Sequence, residues 1–209
     1  MEAGTAAMGL RERKKQRMYA ELSETAIALF LEKGFDKVSV AEIAAAAEIS
    51  KPTLFRYFPA KEDLVLHRFQ DHEDEASRIV AAHPQGKAAL DALRDHFLAG
   101  LAQRDPVTGL NDHPGVLAFM RLLYGTPSLV ARMHTYQTRS EAALAEALGG
   151  GIGALLAAGQ IVAVQRTLAL ENWRRVAAGE SADAAYEDAV TAAELGFGQL
   201  RNGLDLNLS

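Results

Sequence analysis

The sequence predicts an all-α protein, on three observations. Gly, Pro and short polar clusters cut the 209 residues into about nine stretches of helical length. Within these stretches β-branched residues are scattered and nowhere alternate with polar ones over a useful length, so no strand is expected. Almost half of the composition, 49%, is hydrophobic, and much of it is Ala, the strongest helix former and small enough to let helices approach closely.

The first helix is expected from about Glu12 to Lys33, with Leu22, Ala26, Leu29 and Phe30 on one face at three- and four-residue spacing. Gly34 ends it, in the usual place for a left-handed residue. In "VSVAEI", Ser39 and Glu42 stand at the spacing of a capping box, and Val38 and Ile43 at that of a hydrophobic staple. A short second helix should therefore run from Val40 to about Ala47. Ser50 is a second N-cap, Ile49 and Leu54 repeat the staple around it, and Pro52 falls in the first turn of a third helix, where its missing N–H breaks no bond. Two helices of about two turns joined by three or four residues make a helix-turn-helix.

Pro59 closes the third helix. A fourth should begin near Ala60, with Glu62 and Asp63 at its positive end, and continue to about Ala82, where "HPQGK" breaks it. Later breaks fall at 104–115, 125–128, 149–153 and 178–183, leaving a long helix from about Ala154 to Ala177 and a last one from about Ala184 to Asn202.

Net charge is −5, but it is unevenly spread. Residues 11–61 hold ten Lys/Arg against seven Asp/Glu, starting with Arg11, Arg13, Lys14, Lys15 and Arg17, whereas 62–209 hold twelve against nineteen. Without cysteine there is no disulfide, thiol nucleophile or cysteine-ligated metal. No window is expected to hold enough consecutive apolar residues to span a bilayer, and the N-terminus lacks the apolar run of a signal peptide, so a cytoplasmic protein with no membrane partner is expected. A Gly-rich phosphate loop, an "HExxH" and a nucleophile elbow are all missing, so neither an enzyme nor a cofactor is expected. His67, Asp71, His72 and Glu73 have a spacing that could hold a metal, but "HRFQDHEDE" reads as a solvated stretch, and no metal site is expected.

The stretch "ISKPTLFRYFPAKEDL" (49–64) carries the functional signal. On a helix, Leu54 and Phe58 make one apolar stripe with Ile49 near its start, while Lys51, Thr53, Arg56 and Tyr57 lie away from it. Hydroxyl, cation and phenol groups on an outer face are the types that reach base edges and phosphate oxygens in the major groove.

From about Arg17 to Leu64, a quarter of the chain, the sequence resembles the DNA-binding domain of the TetR family of bacterial transcriptional regulators. "AIALFLEKGFDKVSVAEIAAAAEISKPTLFRYFPAKEDLV" follows that family's pattern in its apolar positions, its helix-ending Gly, both caps and its closing aromatic-Pro-x-Lys-Glu. The resemblance implies that Ser39 bonds a phosphate and that Ser50, Lys51, Pro52 and Thr53 open the recognition helix against bases and backbone. It makes Arg56 a candidate for base readout, and it implies that Tyr57 and Lys61 reach phosphates on either side. Phe55 departs from the pattern, standing where the family often has tyrosine, and offers only apolar contact, such as with a thymine methyl. Ala60 also departs, since a capping side chain is common there.

For the acidic remainder the resemblance implies a ligand-sensing and dimerising domain. "IGALLAAGQIVAVQRTLALENWRRV" (152–176) and "AAYEDAVTAAELGFGQL" (184–200) suit a four-helix bundle with a second copy, which would set two recognition helices about 34–36 Å apart on a palindromic operator. Phe97, Phe119, Leu123, Tyr136, Gln160 and Trp173 are candidate contacts for a largely apolar effector. The expected organisation is a disordered tail at 1–10, a helix-turn-helix DNA-binding domain at 11–60 and an effector-binding and dimerisation domain at 61–209. The expected function is a homodimeric repressor released from double-stranded DNA by a small molecule; the alternative is a helical small-molecule binding or carrier protein that does not act through DNA.

Overall fold

The computed structural model describes residues 9–83 and 86–203, and among them every regular element is helical. In order these are α1 (Leu10–Lys33), α2 (Val40–Ala46), α3 (Lys51–Tyr57), α4 (Lys61–Leu66), a 3-10 segment (His67–His72), α5 (Glu75–Ala82) and α6 (Gly86–Ala102). A short 3-10 turn (Pro106–Thr108), α7 (Pro114–Gly125), α8 (Pro127–Ala147), α9 (Gly151–Ala177) and α10 (Tyr186–Asn202) complete the chain. The all-α expectation holds. The expected tail at 1–10 lies almost wholly outside the described residues, as does the side chain of Arg11.

The expected fourth helix, continuous from Ala60 to Ala82, is a correction: the chain breaks it into α4, the 3-10 segment and α5. His67, Phe69, His72 and Asp74 are weak helix formers, so propensity falls through this stretch. Nor is this stretch uniformly solvated. His67 stacks on Tyr19 at 5.5 Å, and Glu75 accepts from His72 at 3.0 Å and pairs with His96 at 3.3 Å. The hydrogen bond from His72 holds the Glu75 carboxyl below its ordinary pKa, against the opposing effect of burial. Among the described residues no group of three or more His, Asp or Glu is arranged to hold a metal; the side chain of Asp71 lies outside them.

The chain divides into two compact units. The first joins the residues up to Gln70 with Phe119–Met133. Leu22, Ala26 and Phe30 of α1, Ile43 of α2, Leu54 of α3 and Leu64 of α4 are buried in it, whereas Leu29 is only half-buried. Ser23 of α1 donates to the Leu64 carbonyl oxygen at 2.7 Å, so the one buried hydroxyl between α1 and α4 is satisfied. Asp63 holds two things at once. One carboxylate oxygen accepts the Ala60 N–H at 3.1 Å, supplying the half of a cap that Ala60 cannot, and both oxygens accept from Arg132 of α8, at 2.7 and 2.9 Å.

The second unit comprises Asp71–Ala118 and the residues from His134 onward. Its core runs through Leu93, Phe97 and Leu101 of α6, Leu144 of α8, Ala158 and Ile161 of α9, and Ala193 and Phe197 of α10. Small residues let these helices close on one another; a Cβ on Gly196 of α10 would stand 2.9 Å from a Val164 methyl of α9. The loop before α7 is pinned to α9, where the buried Asn172 donates to the Thr108 carbonyl at 2.9 Å. Gly109, at φ +74°, is required there, because a Cβ would lie 1.9 Å from the Ala169 carbonyl oxygen.

A second correction concerns α9. By length and composition it could cross a membrane, contrary to the expectation that no window could, and only 17% of that window is buried within the chain. Ala, Leu, Ile and Val together raise its mean hydropathy, and Gln160 and Gln165 interrupt the apolar sequence.

Removing the guanidinium that Asp63 holds should cost the first unit about 1–2 kcal/mol, a charge-assisted pair discounted for the partial exposure of Arg132. Urea denaturation of Arg132→Ala against the parent chain checks it, and an unchanged midpoint would show the pair to be energetically idle.

Candidate nucleic-acid interface

α3 starts at Ser50, whose hydroxyl oxygen accepts the Thr53 N–H at 3.2 Å and lies 2.8 Å from the Thr53 hydroxyl. The helix divides by face as its spacing predicts. Leu54 and Phe58 are buried and Ile49 is half-buried, while Lys51, Pro52, Phe55 and Arg56 are exposed. Phe55 follows Lys51 by four residues and Pro52 by three, and Arg56 follows Pro52 by four, so the four share one outer patch. At its centre the Phe55 ring is 48% exposed, flanked by two cations.

Ser39 caps α2. Its hydroxyl accepts the Glu42 N–H at 3.2 Å, and the Glu42 carboxylate accepts the Ser39 N–H at 2.8 Å. That bond pulls the Glu42 pKa below its ordinary value, with Lys33 adding a smaller effect. The hydroxyl hydrogen of Ser39 is not consumed by the cap and can donate to a phosphate.

Tyr57 is half-buried, its ring edge-on to Tyr19 of α1 at 5.0 Å with the Arg56 guanidinium 5.6 Å from its centre. Lys61 is placed otherwise than the family resemblance implies. Its ammonium donates to the Phe35 carbonyl oxygen and lies over the Phe35 ring at 4.2 Å; burial pushes its pKa down against the pull of Asp36, Glu62 and Glu42. Lys61 thus ties α4 to the loop after α1 and is not a free cation at the surface.

The basic cluster lies in the first turns of α1, which begins at Leu10, two residues before its expected start. Arg and Lys are good helix formers, and Gly9 starts the helix. Arg13, Lys14, Lys15 and Arg17 are exposed on its first turns; Arg17 pairs with Glu21 at 2.7 Å.

The turn between α2 and α3 holds a feature that sequence spacing alone passed over. Ile49 N–H donates to the Ala44 carbonyl at 2.9 Å and Glu48 N–H to the Ala45 carbonyl at 3.1 Å, the paired bonds of a Schellman ending. The left-handed position of that ending is Glu48, at φ +55°. The signal was present in the capped second helix, which must end before Ser50 and offers no glycine to do so.

Of the six candidate effector contacts only Gln160 borders a cavity found in the second unit. Phe97 lies in that unit's core, 6.1 Å from Phe197. Phe119 and Leu123 are buried in the first unit, and Phe119 sits 5.9 Å from Phe69. Tyr136 and Trp173 are half-buried away from the cavity lining, and burial raises the Tyr136 phenol above its ordinary pKa.

Residues 22–67 match the family model of bacterial regulatory proteins, tetR family. The chain is 34% identical over 134 residues to the HTH-type transcriptional regulator TcmR of Streptomyces glaucescens, an overlap covering 64% of this chain and 58% of that one. The overlap thus spans less than two thirds of that relative's length. Its fold is similar to that of NalD of Pseudomonas aeruginosa, described as the secondary repressor of a multidrug efflux pump, with 16% identity, coverage of 92% and 99% of the two chains and a TM-score of 0.55. It is similar also to a TetR-family regulator of Streptomyces coelicolor, with 21% identity, coverage of 88% and 96% and a TM-score of 0.53. At these identities the two structures speak for the fold alone.

A carboxylate-bearing residue in left-handed backbone costs about 1 kcal/mol relative to glycine. Glu48→Gly should therefore stabilise the chain by about that amount, read as a raised urea midpoint at unchanged slope; a lowered midpoint would mean that Glu48 makes a contact that outweighs the strain.

Proposed function

We propose that the chain, whose residues 22–67 match the model of bacterial regulatory proteins, tetR family, is a sequence-specific, DNA-binding transcriptional repressor of that family, released from a palindromic operator by a small, largely apolar molecule. The observation that carries this reading is the outer patch of α3, where Lys51, Pro52, Phe55 and Arg56 stand exposed above a buried Leu54 and Phe58. A patch combining cations with one apolar ring fits the major groove, where phosphate oxygens border base edges and thymine methyls. In this reading Ser39, Ser50, Lys51 and Tyr57 contact backbone, Thr53 and Arg56 face base edges, and Phe55 meets a thymine methyl. Residues 11–60 form the DNA-binding domain and 61–209 the effector-binding and dimerisation domain, and the protein works in the cytoplasm.

One such module makes few contacts, so a second copy is needed for affinity. The exposed face of α9 and α10 supports that partner. Ile152, Leu155 and Leu156, on one face of α9, and Leu195 of α10 are 54–73% exposed, apolar surface that water disfavours. Gly159 and Gly198 have open space where a Cβ would stand, room for a partner's backbone to come close. A two-fold pair of such faces buries the apolar side of α9 that the single chain leaves open.

Lys51→Ala should weaken binding to every duplex and reduce the slope of log affinity against log salt by about one, whereas Arg56→Ala should lose about 1–3 kcal/mol on the preferred sequence and relax its preference. Fluorescence anisotropy on specific and random duplexes at several salt concentrations tests both. Duplex affinity that ignores salt, with no preference among palindromes, would instead favour a helical carrier protein.

The double substitution Leu156→Asp, Leu195→Asp should turn a dimer into a monomer in sedimentation equilibrium and cut operator affinity by at least tenfold. A parent chain that sediments as a monomer would remove the dimeric part of the reading.

A further inference from the structure

Between Leu10 and Leu66 the aromatic side chains are spent on one another, with one exception. Tyr19 meets Tyr57 and Phe58 edge-on at 5.0 and 5.2 Å, and Phe30 packs against Phe35 at 4.8 Å. Phe55 makes no ring contact among the described residues and stands 48% exposed. Pro52, three residues earlier on the same face of α3, is exposed as well, so the two make a small apolar strip. Lys51 and Arg56 border it; among the described residues neither pairs with a carboxylate, and α3 itself contains no acidic residue.

Two cations with no acid between them match an anionic surface, and the strip they enclose matches an apolar group set into that surface. The major groove of duplex DNA supplies both. Phosphates line its borders, and the one methyl group that the four bases present there is on C5 of thymine. The other groups of the base edges are hydrogen-bond donors and acceptors. A phenyl ring and a proline can bond neither, and would strip such a group of its water without replacing it. What the strip fits is thus the methyl rather than the base that carries it. Thymine and 5-methylcytosine hold that methyl at the same ring position and differ at C4, where one has an oxygen and the other an amino group. Cytosine and uracil lack it.

We propose that Phe55 and Pro52 read the C5 methyl of a pyrimidine, so that 5-methylcytosine stands in for thymine at the position they face and DNA affinity responds to C5 methylation of cytosine. This rests on the DNA-binding reading and adds to it a second input, a chemical mark on the operator that acts at α3 itself. A site with cytosine at that position is weak until it is methylated.

The full chain is used to select a duplex from a random-sequence pool. Each thymine of that duplex is then replaced in turn by deoxyuridine, which removes only the methyl, and by cytosine and 5-methylcytosine opposite guanine. Fluorescence anisotropy should show deoxyuridine weakening binding about fourfold at the position facing Phe55, the contribution of one buried methyl. There 5-methylcytosine should bind more tightly than cytosine by the same factor. Phe55→Ala should bind the thymine and deoxyuridine duplexes equally; if it loses its helical circular dichroism, Phe55→Gln replaces it with the same expectation. Indifference of the parent chain to every deoxyuridine, or equal binding of the cytosine and 5-methylcytosine duplexes, overturns the proposal and leaves the regulator reading intact. Sensitivity that persists in Phe55→Ala also overturns it, because the methyl is then felt through the shape of the duplex. A pool from which no sequence is enriched removes the regulator reading, and this proposal with it.

Discussion

A helix of seven residues is not stable alone in water, where isolated helices shorter than about 12–15 residues are marginal. α3 is such a helix, and it carries the whole of the outer patch. Its existence therefore depends on what holds its inner side: the burial of Leu54 and Phe58 and the Ser50 cap. Each reaches a different neighbour. Leu54 is buried, Phe58 meets Tyr19 and His67 edge-on at 5.2 and 5.5 Å, and the cap is internal to the helix. Because the support is tertiary and the exposed side chains play no part in it, Lys51, Phe55 and Arg56 are free to be chosen for a partner.

The same division of labour continues into α4. Ala60 supplies no cap, and Asp63 compensates from inside the helix while also gripping Arg132. A single carboxylate thus starts α4 and fixes the first turns of α8 against it, so a shift in α8 within this unit is felt at the start of α4, three residues from the end of α3. Lys61 works in parallel, anchoring the same turn to the Phe35 carbonyl, which accounts for its withdrawal from the surface.

How much of this was legible in the sequence follows the range of the interactions. The caps of α2 and α3, the buried and exposed faces of α3 and the ending at Gly34 all depend on residues within four positions of one another, and spacing shows them. The Asp63–Arg132 pair spans 69 positions and the Lys61–Phe35 bond 26, and no local pattern announces either. The 3-10 segment was missed because apolar periodicity continues through it while helix propensity falls. Glu48 was missed because the rule linking glycine to left-handed endings identifies the residue more readily than the position. The effector candidates are a different case. An aromatic stripe on a helix looks the same whether it packs a core or lines a pocket, and a cavity is defined by the side chains that are missing.

α9 shows why small residues recur there. It must meet α10 on one side, where Ala158 and Ile161 are buried; border the cavity on another, through Gly153, Ala157 and Gln160; and present Ile152, Leu155 and Leu156 outward. Three apolar demands on one helix leave little room for a polar face, which accounts for a hydropathy high enough for a membrane span. They also make the three surfaces mechanically one. The helix is a rod, so a change on one of these three faces is felt at the other two through the same backbone.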